Sequence, residues 1–198
     1  PKFRGGGAVQ FADFFIAARA LRAISQAGLF PANCRILDTQ EAFNTGAADG
    51  SVAILVLAFE SGDHPIEPWM ARALECCADH GSKVERADTA DAHREGAAGA
   101  WRNAFIRMPY ARERTIERGI INDTFETAIT WDRFESFHHK VKAATERAIL
   151  EATGQTGQVT CRCTHVYPDG PAPYFTFHAA GRHGELIPQW HTIKSAGL

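Results

Sequence analysis

Val159–His178 (VTCRCTHVYPDGPAPYFTFH) constrains the fold more than any other stretch of the chain. Pro168, Asp169, Gly170 and Pro171 stop one extended run and reverse the chain into another. Val159, Thr160, Cys161 and Val166 suit an incoming strand, and Tyr174, Phe175, Thr176 and Phe177 an outgoing one, because β-branched and aromatic side chains fit a pleated surface. On the outgoing strand Phe175 and Phe177 share one face; Tyr174, Thr176 and His178 share the other. The greasy side is suited to lie on helices. The other side carries a phenol, a hydroxyl and an imidazole, which suits either open water or a face that covers a reactive ligand.

The remaining elements follow in chain order. Pro1–Ala8, with Gly5-Gly6-Gly7, reads as a flexible lead-in or linker, and no strand precedes it to make it a phosphate loop. Phe11, Phe14, Phe15, Ala18 and Leu21 recur at helical spacing up to Gly28. Ala32–Leu37 predicts a short strand, followed by a helical turn at Glu41–Phe43. Val52–Phe59 (VAILVLAF) is apolar on both faces, which places it centrally in a sheet. Pro65 opens a helix with Ile66, Trp69, Met70, Ala73 and Cys77 as its buried stripe, closed by Gly81. Lys83–Arg86 reads as an edge strand and Asp88–Gly99 as a loop.

Trp101–Arg118 has helical spacing interrupted by Pro109, so it reads as a kinked helical insertion. It carries five arginines, at 102, 107, 112, 114 and 118. Most belong on a solvated face, and one just beyond the kink is placed to meet an anion. Ile120–Thr130 alternates, with Ile121, Phe125 and Ile129 opposite Asn122, Thr124, Glu126 and Thr130. Asp132 is the expected N-cap of a helix with the stripe Phe134, Phe137, Val141, Ala144 and Ala148, ended by Gly154. A last helix spans about Glu185–Ser195. Tight hairpins and alternating faces imply an α+β fold, an antiparallel sheet with helices on one face, ferredoxin-like.

At 198 residues and 45% hydrophobic, the chain can bury one sizeable core. A net charge of −2 with no dense basic run disfavours nucleic acid. No apolar run reaches the ~18–20 residues of a membrane span. Five cysteines, neither in zinc-finger spacing nor in a disulfide framework, suggest reduced buried thiols and a cytoplasmic setting. His138-His139 point ~100° apart on a helix, so no metal site is expected.

TFETAITWDRF (Thr124–Phe134), MPYAR (Met108–Arg112) and THVYPDGPAPYFTF (Thr164–Phe177) together resemble the C-terminal substrate, or cap, domain of FAD-linked oxidases. These are flavoproteins of the vanillyl-alcohol-oxidase type, and the branch most similar is that of alkyldihydroxyacetonephosphate synthase and its bacterial homologues. The resemblance runs from about Leu21 to Phe177. It implies that residues 9–198 form a cap domain laid over FAD, which an N-terminal FAD-binding domain of the same protein holds. It also implies that Tyr174 is the acid/base and that Arg112 binds the anionic head of a small substrate. His165, beside the turn, either tunes the same proton or is a structural imidazole.

The family's histidine run downstream of the tyrosine and its glycine-rich FAD-binding region do not occur in this sequence. The expectation is therefore a truncated cap domain that is inactive alone, with a homodimer possible. A stand-alone ferredoxin-like module, binding a small ligand or serving regulation, is the alternative.

Overall fold

The computed structural model describes residues 1–85 and 96–198. All described strands join one antiparallel seven-stranded sheet, ordered β4-β1-β3-β2-β6-β7-β5. The strands are β1 (Phe3–Phe11), β2 (Asn33–Leu37), β3 (Ala53–Ser61), β4 (Lys83–Glu85), β5 (Ile120–Glu126), β6 (Gln158–Val166) and β7 (Pro171–Ala180). The helices are α1 (Phe14–Gln26), α2 (Thr39–Asn44), α3 (Glu67–Ala78), α4 (Gly96–Glu117), α5 (Trp131–Thr153) and α6 (Leu186–Gly197). The expected α+β antiparallel architecture is what the chain adopts.

One face of the sheet carries the main core. Val9, Phe11, Leu55, Leu57, Phe59, Cys161, Phe175 and Phe177 meet Leu21 and Ile24 of α1, Met70 and Cys77 of α3, Phe134 and Ile149 of α5 and Ile193 of α6. A second, smaller core lies across the sheet. There Ala8, Leu37, Ile54 and Val56 meet Ala42 of α2, Ala47, and Ala97, Ala98 and Trp101 at the start of α4. β3 therefore feeds both cores, which is why its sequence is apolar on both sides.

Local expectations are corrected at Pro1–Ala8, at Asp132 and at Gly96–Gly99. The Pro1–Ala8 lead-in is β1 from Phe3 onward, an interior strand paired with β3 and β4. Its glycines are there for space: a Cβ at Gly6 would come within 2.8 Å of both Ala58 Cβ and Leu57 O. The helix after β5 is capped by Thr130, and Asp132 sits inside its first turn, where its charge favours the helix dipole. The kinked insertion is α4, 22 residues long with Pro109 inside it. The loop expected at Asp88–Gly99 lies outside the described residues up to 95, and Gly96–Gly99 begin α4.

The two halves of the sheet meet at a narrow seam. β2 and β6 are in register only at Ile36 with Cys163 and Leu37 with Arg162. A bulge between Cys163 and His165 then turns β6 aside. A cleft of about 500 Å³ opens there, lined by Asn33–Arg35, Thr164–Val166 and Phe30 among others.

A candidate acid–base site on the polar face of the sheet

Strand register sets a three-by-three block of side chains on the face away from α5. Arg162, Tyr174 and Glu126 form one row across β6, β7 and β5; Thr160, Thr176 and Thr124 the next; Gln158, His178 and Asn122 the last. The block follows from alternation alone, since Phe175 and Phe177 of the same strand are fully buried on the other side.

Tyr174 is half-buried, and its hydroxyl donates to Thr124 Oγ1 at 2.8 Å. The Arg162 guanidinium lies 3.9 Å from the centre of the phenol ring. Arg162 is 3% exposed and Glu41 of α2 4%. Arg162 Nη1 donates to Glu41 Oε1 at 2.6 Å, and Thr160 Oγ1 donates to Glu41 Oε2 at 2.6 Å. Asp38 caps α2 by accepting from Glu41 N, and also accepts from Cys161 N at 2.6 Å. Burial outweighs those bonds and pushes the Asp38 carboxyl up to about 6.

A second guanidinium stands one strand away. Arg35 lies 4.3 Å over the Trp101 ring and donates to Asn33 Oδ1 at 2.7 Å. Burial first, then the neighbouring Arg162 charge, pull its pKa down. At the far end of the block, His178 Nε2 faces Asn122 Nδ2 at 2.9 Å, and burial lowers its pKa. Arg162 Nε, Thr176 Oγ1 and His178 Nδ1 are buried with no partner among the described residues.

The three residues singled out in the sequence fall in different places. Tyr174 occupies the middle of the block's first row. His165 is exposed and meets Glu126, the cross-strand neighbour of Tyr174, at 3.1 Å. Arg112 is not brought to the phenol. Its side chain is 60% exposed and stands 3.8 Å from Asp123 on the edge strand β5. Asp123 is already held by Trp190 Nε1 at 2.7 Å and Lys194 Nζ at 2.8 Å. Tyr174 and Arg112 engage consecutive residues of β5, Thr124 and Asp123, whose side chains point to opposite faces of the sheet.

Arg162 and Glu41 escaped the sequence reading. The available signal was a lone arginine inside an otherwise uncharged strand, in phase with Thr160 rather than with the cysteines beside it.

Comparison with known proteins bears on the family and the fold. Residues 1–196 match the family described as FAD linked oxidases, C-terminal domain. Over 72 residues the chain is 36% identical to alkyldihydroxyacetonephosphate synthase of Caenorhabditis elegans, a stretch that is 35% of this chain and 12% of that protein. Two solved structures of alkyldihydroxyacetonephosphate synthase, in different space groups, are similar in fold, with TM-scores of 0.80 and 0.77 at 14% and 16% identity. They cover 99% and 98% of this chain, which spans 39% of each of them. At such identities the likeness concerns the fold.

Proposed function

Because the chain belongs to the family of FAD-linked oxidase C-terminal domains, we propose that it is the substrate-side cap of an FAD-dependent oxidoreductase or synthase, with Tyr174 as its acid/base. The observation that carries this reading is the phenol itself. It is half-buried on a polar sheet face, hydrogen-bonded through its hydroxyl and flanked by a cation.

The donor set fits the reacting side of a flavin rather than its phosphates. The face offers a phenol and hydroxyls, whereas Gly5-Gly6-Gly7 lie in an extended strand and make no phosphate cradle. Holding the FAD falls to an N-terminal domain of the same protein, and a bound flavin supplies a two-electron acceptor or donor. The exposed apolar side chains of α4, among them Phe105, Ile106, Tyr110 and Ile116, suit a surface that such a domain covers.

This chain's own residues manage the proton and the anion. Tyr174 takes a proton from the substrate, or returns one, at Oη, with Thr124 Oγ1 holding that oxygen in place. Arg112 anchors the anionic head of a small substrate. Its ion pair with Asp123 is long, and Asp123 has closer donors in Trp190, Lys194 and the Thr124 N–H, so the guanidinium fork is available to a carboxylate or phosphate. His165 steadies Glu126 beside the phenol. Without its flavin domain the cap is inactive.

Tyr174→Phe in the intact flavoprotein tests the assignment. Turnover should be largely lost while flavin content and thermal unfolding stay near wild type. Turnover close to wild type would refute Tyr174 as the acid/base.

A further inference from the structure

Arg162 is a charge in the middle of a sheet, 3% exposed, on β6 at the seam itself. Replacing a buried ion pair by hydrocarbon is often neutral or stabilising, so stability alone does not account for Arg162 and Glu41. Geometry gives the pair another task. Glu41 holds one side of the guanidinium at 2.6 Å, and the Thr160 hydroxyl holds Glu41 in turn. The other side faces the Tyr174 ring at 3.9 Å, and Arg162 Nε has no partner among the described residues. The guanidinium thus bonds the carboxylate and meets the phenol ring at once.

Building on the assignment of Tyr174 as acid/base, we propose that Arg162 and Glu41 are positioning residues that set how readily the Tyr174 phenol gives up its proton. The cation attracts the charge that develops on the phenol oxygen, and the carboxylate behind it offsets part of that attraction. The guanidinium is the member of the pair in contact with the ring, so its attraction outweighs the carboxylate's repulsion. Other charged and titratable groups border the same block: Arg35 of β2, Asp38 at the start of α2, Glu126 of β5 with His165 of β6, and His178 of β7. All are left unchanged by the test.

The test is the pH dependence of flavin reduction in rapid mixing, with the intact flavoprotein. Tyr174→Phe identifies the limb that belongs to the phenol. Glu41→Gln keeps an acceptor for Arg162 and removes the opposing charge, so the limb should move to lower pH by about half a unit or more. Arg162→Gln removes the cation, so the limb should move to higher pH by about one unit or more. Arg162→Lys, which keeps the charge, should fall nearer wild type. A purely structural role would damage both sites alike and would not shift the limb in opposite directions.

Should Arg162→Gln fail to fold with Glu41 left unpaired, the double variant R162Q/E41Q, which buries no lone charge, carries the upward shift. A limb that stays put, or moves the same way in both variants, overturns the inference. Tyr174→Phe at full activity overturns instead the acid/base assignment beneath it.

Discussion

β3 and β7 are both interior strands of one sheet, and the chain treats them differently. β3 is covered on both sides, with Leu55, Leu57 and Phe59 under α1 and α3 and Ile54 and Val56 under α2 and the start of α4. β7 gives Phe175 and Phe177 to the main core but keeps Tyr174, Thr176 and His178 on its other side. Hydrocarbon on both faces buys stability and nothing else. A strand that keeps a phenol, a hydroxyl and an imidazole in a row gives up apolar burial there, and on the function proposed above the proton transfer falls to that row.

The comparison breaks most sharply at Tyr174. On the polar side of β7, Tyr174→Phe should lower kcat of the intact enzyme by roughly 10²–10⁴. The same change should cost no more than about 1 kcal/mol of stability, the worth of one hydrogen bond. Equal losses in both measurements would mean that the polar face is structural, as β3 is.

The next largest effect is on the apolar side. Phe175→Ala should destabilise by about 3–5 kcal/mol in denaturant unfolding, since it empties a fully buried site in contact with Phe125 and Phe137. One residue along, Thr176→Val should change stability by less than about 1 kcal/mol, because the lost hydroxyl is buried without a partner among the described residues. Similar costs at the two positions would erase the contrast between the faces.

The faces should also respond to acid with opposite signs. His138, 5% exposed on the α5 side beside Phe14 and Phe175, is held neutral by burial, down to about 4. Its unfolded value is higher, so it contributes stability above about 6.5 that is lost as pH falls towards 4. Asp38, at the other face, is pushed up to about 6 from 3.8, so the folded state holds its proton more tightly. Its contribution is fully present below about 3.8 and is lost as pH rises through about 6. Each group is worth on the order of 3 kcal/mol across its window. Urea melts of His138→Leu and Asp38→Asn between pH 4 and 7 should differ from wild type with opposite pH slopes; parallel slopes would contradict the burial argument for one of the two.

The smallest effect is expected at Arg112. Arg112→Ala should raise KM for an anionic substrate about tenfold or more, with kcat little changed, as fits loss of one charge-assisted contact. Its stability should stay within about 0.5 kcal/mol, because the pair with Asp123 is long and exposed. An unchanged KM would remove Arg112 from the substrate site.

Much of this was visible in the residues. The β6–β7 hairpin, the doubly apolar β3 and the alternation of β5 rest on periodicity, which survives into the fold because each face has one environment. β1 was hidden because Gly5-Gly6-Gly7 has the composition of a linker, and only the close approach of Ala58 explains it as a strand. α4 was expected to kink at Pro109 on local chemistry, and the helix runs on past it as one element. The face that Tyr174 takes was legible through its strand phase, while its role was implied only by the family resemblance. The relation of Tyr174 to Arg162 and Glu41 was not legible, since Glu41 is 121 residues from Arg162 and only folding brings them together.

The seam between β2 and β6 gives α2 a mechanical importance out of proportion to its six residues. Beyond two residue pairs and the Asp38 N to Cys161 O bond, Asp38 and Glu41 fasten this helix to Cys161, Thr160 and Arg162 on the far strand. It is a rivet through a narrow joint: any flexing of one half of the sheet against the other must load these few bonds, and the same bonds hold the cation against the phenol.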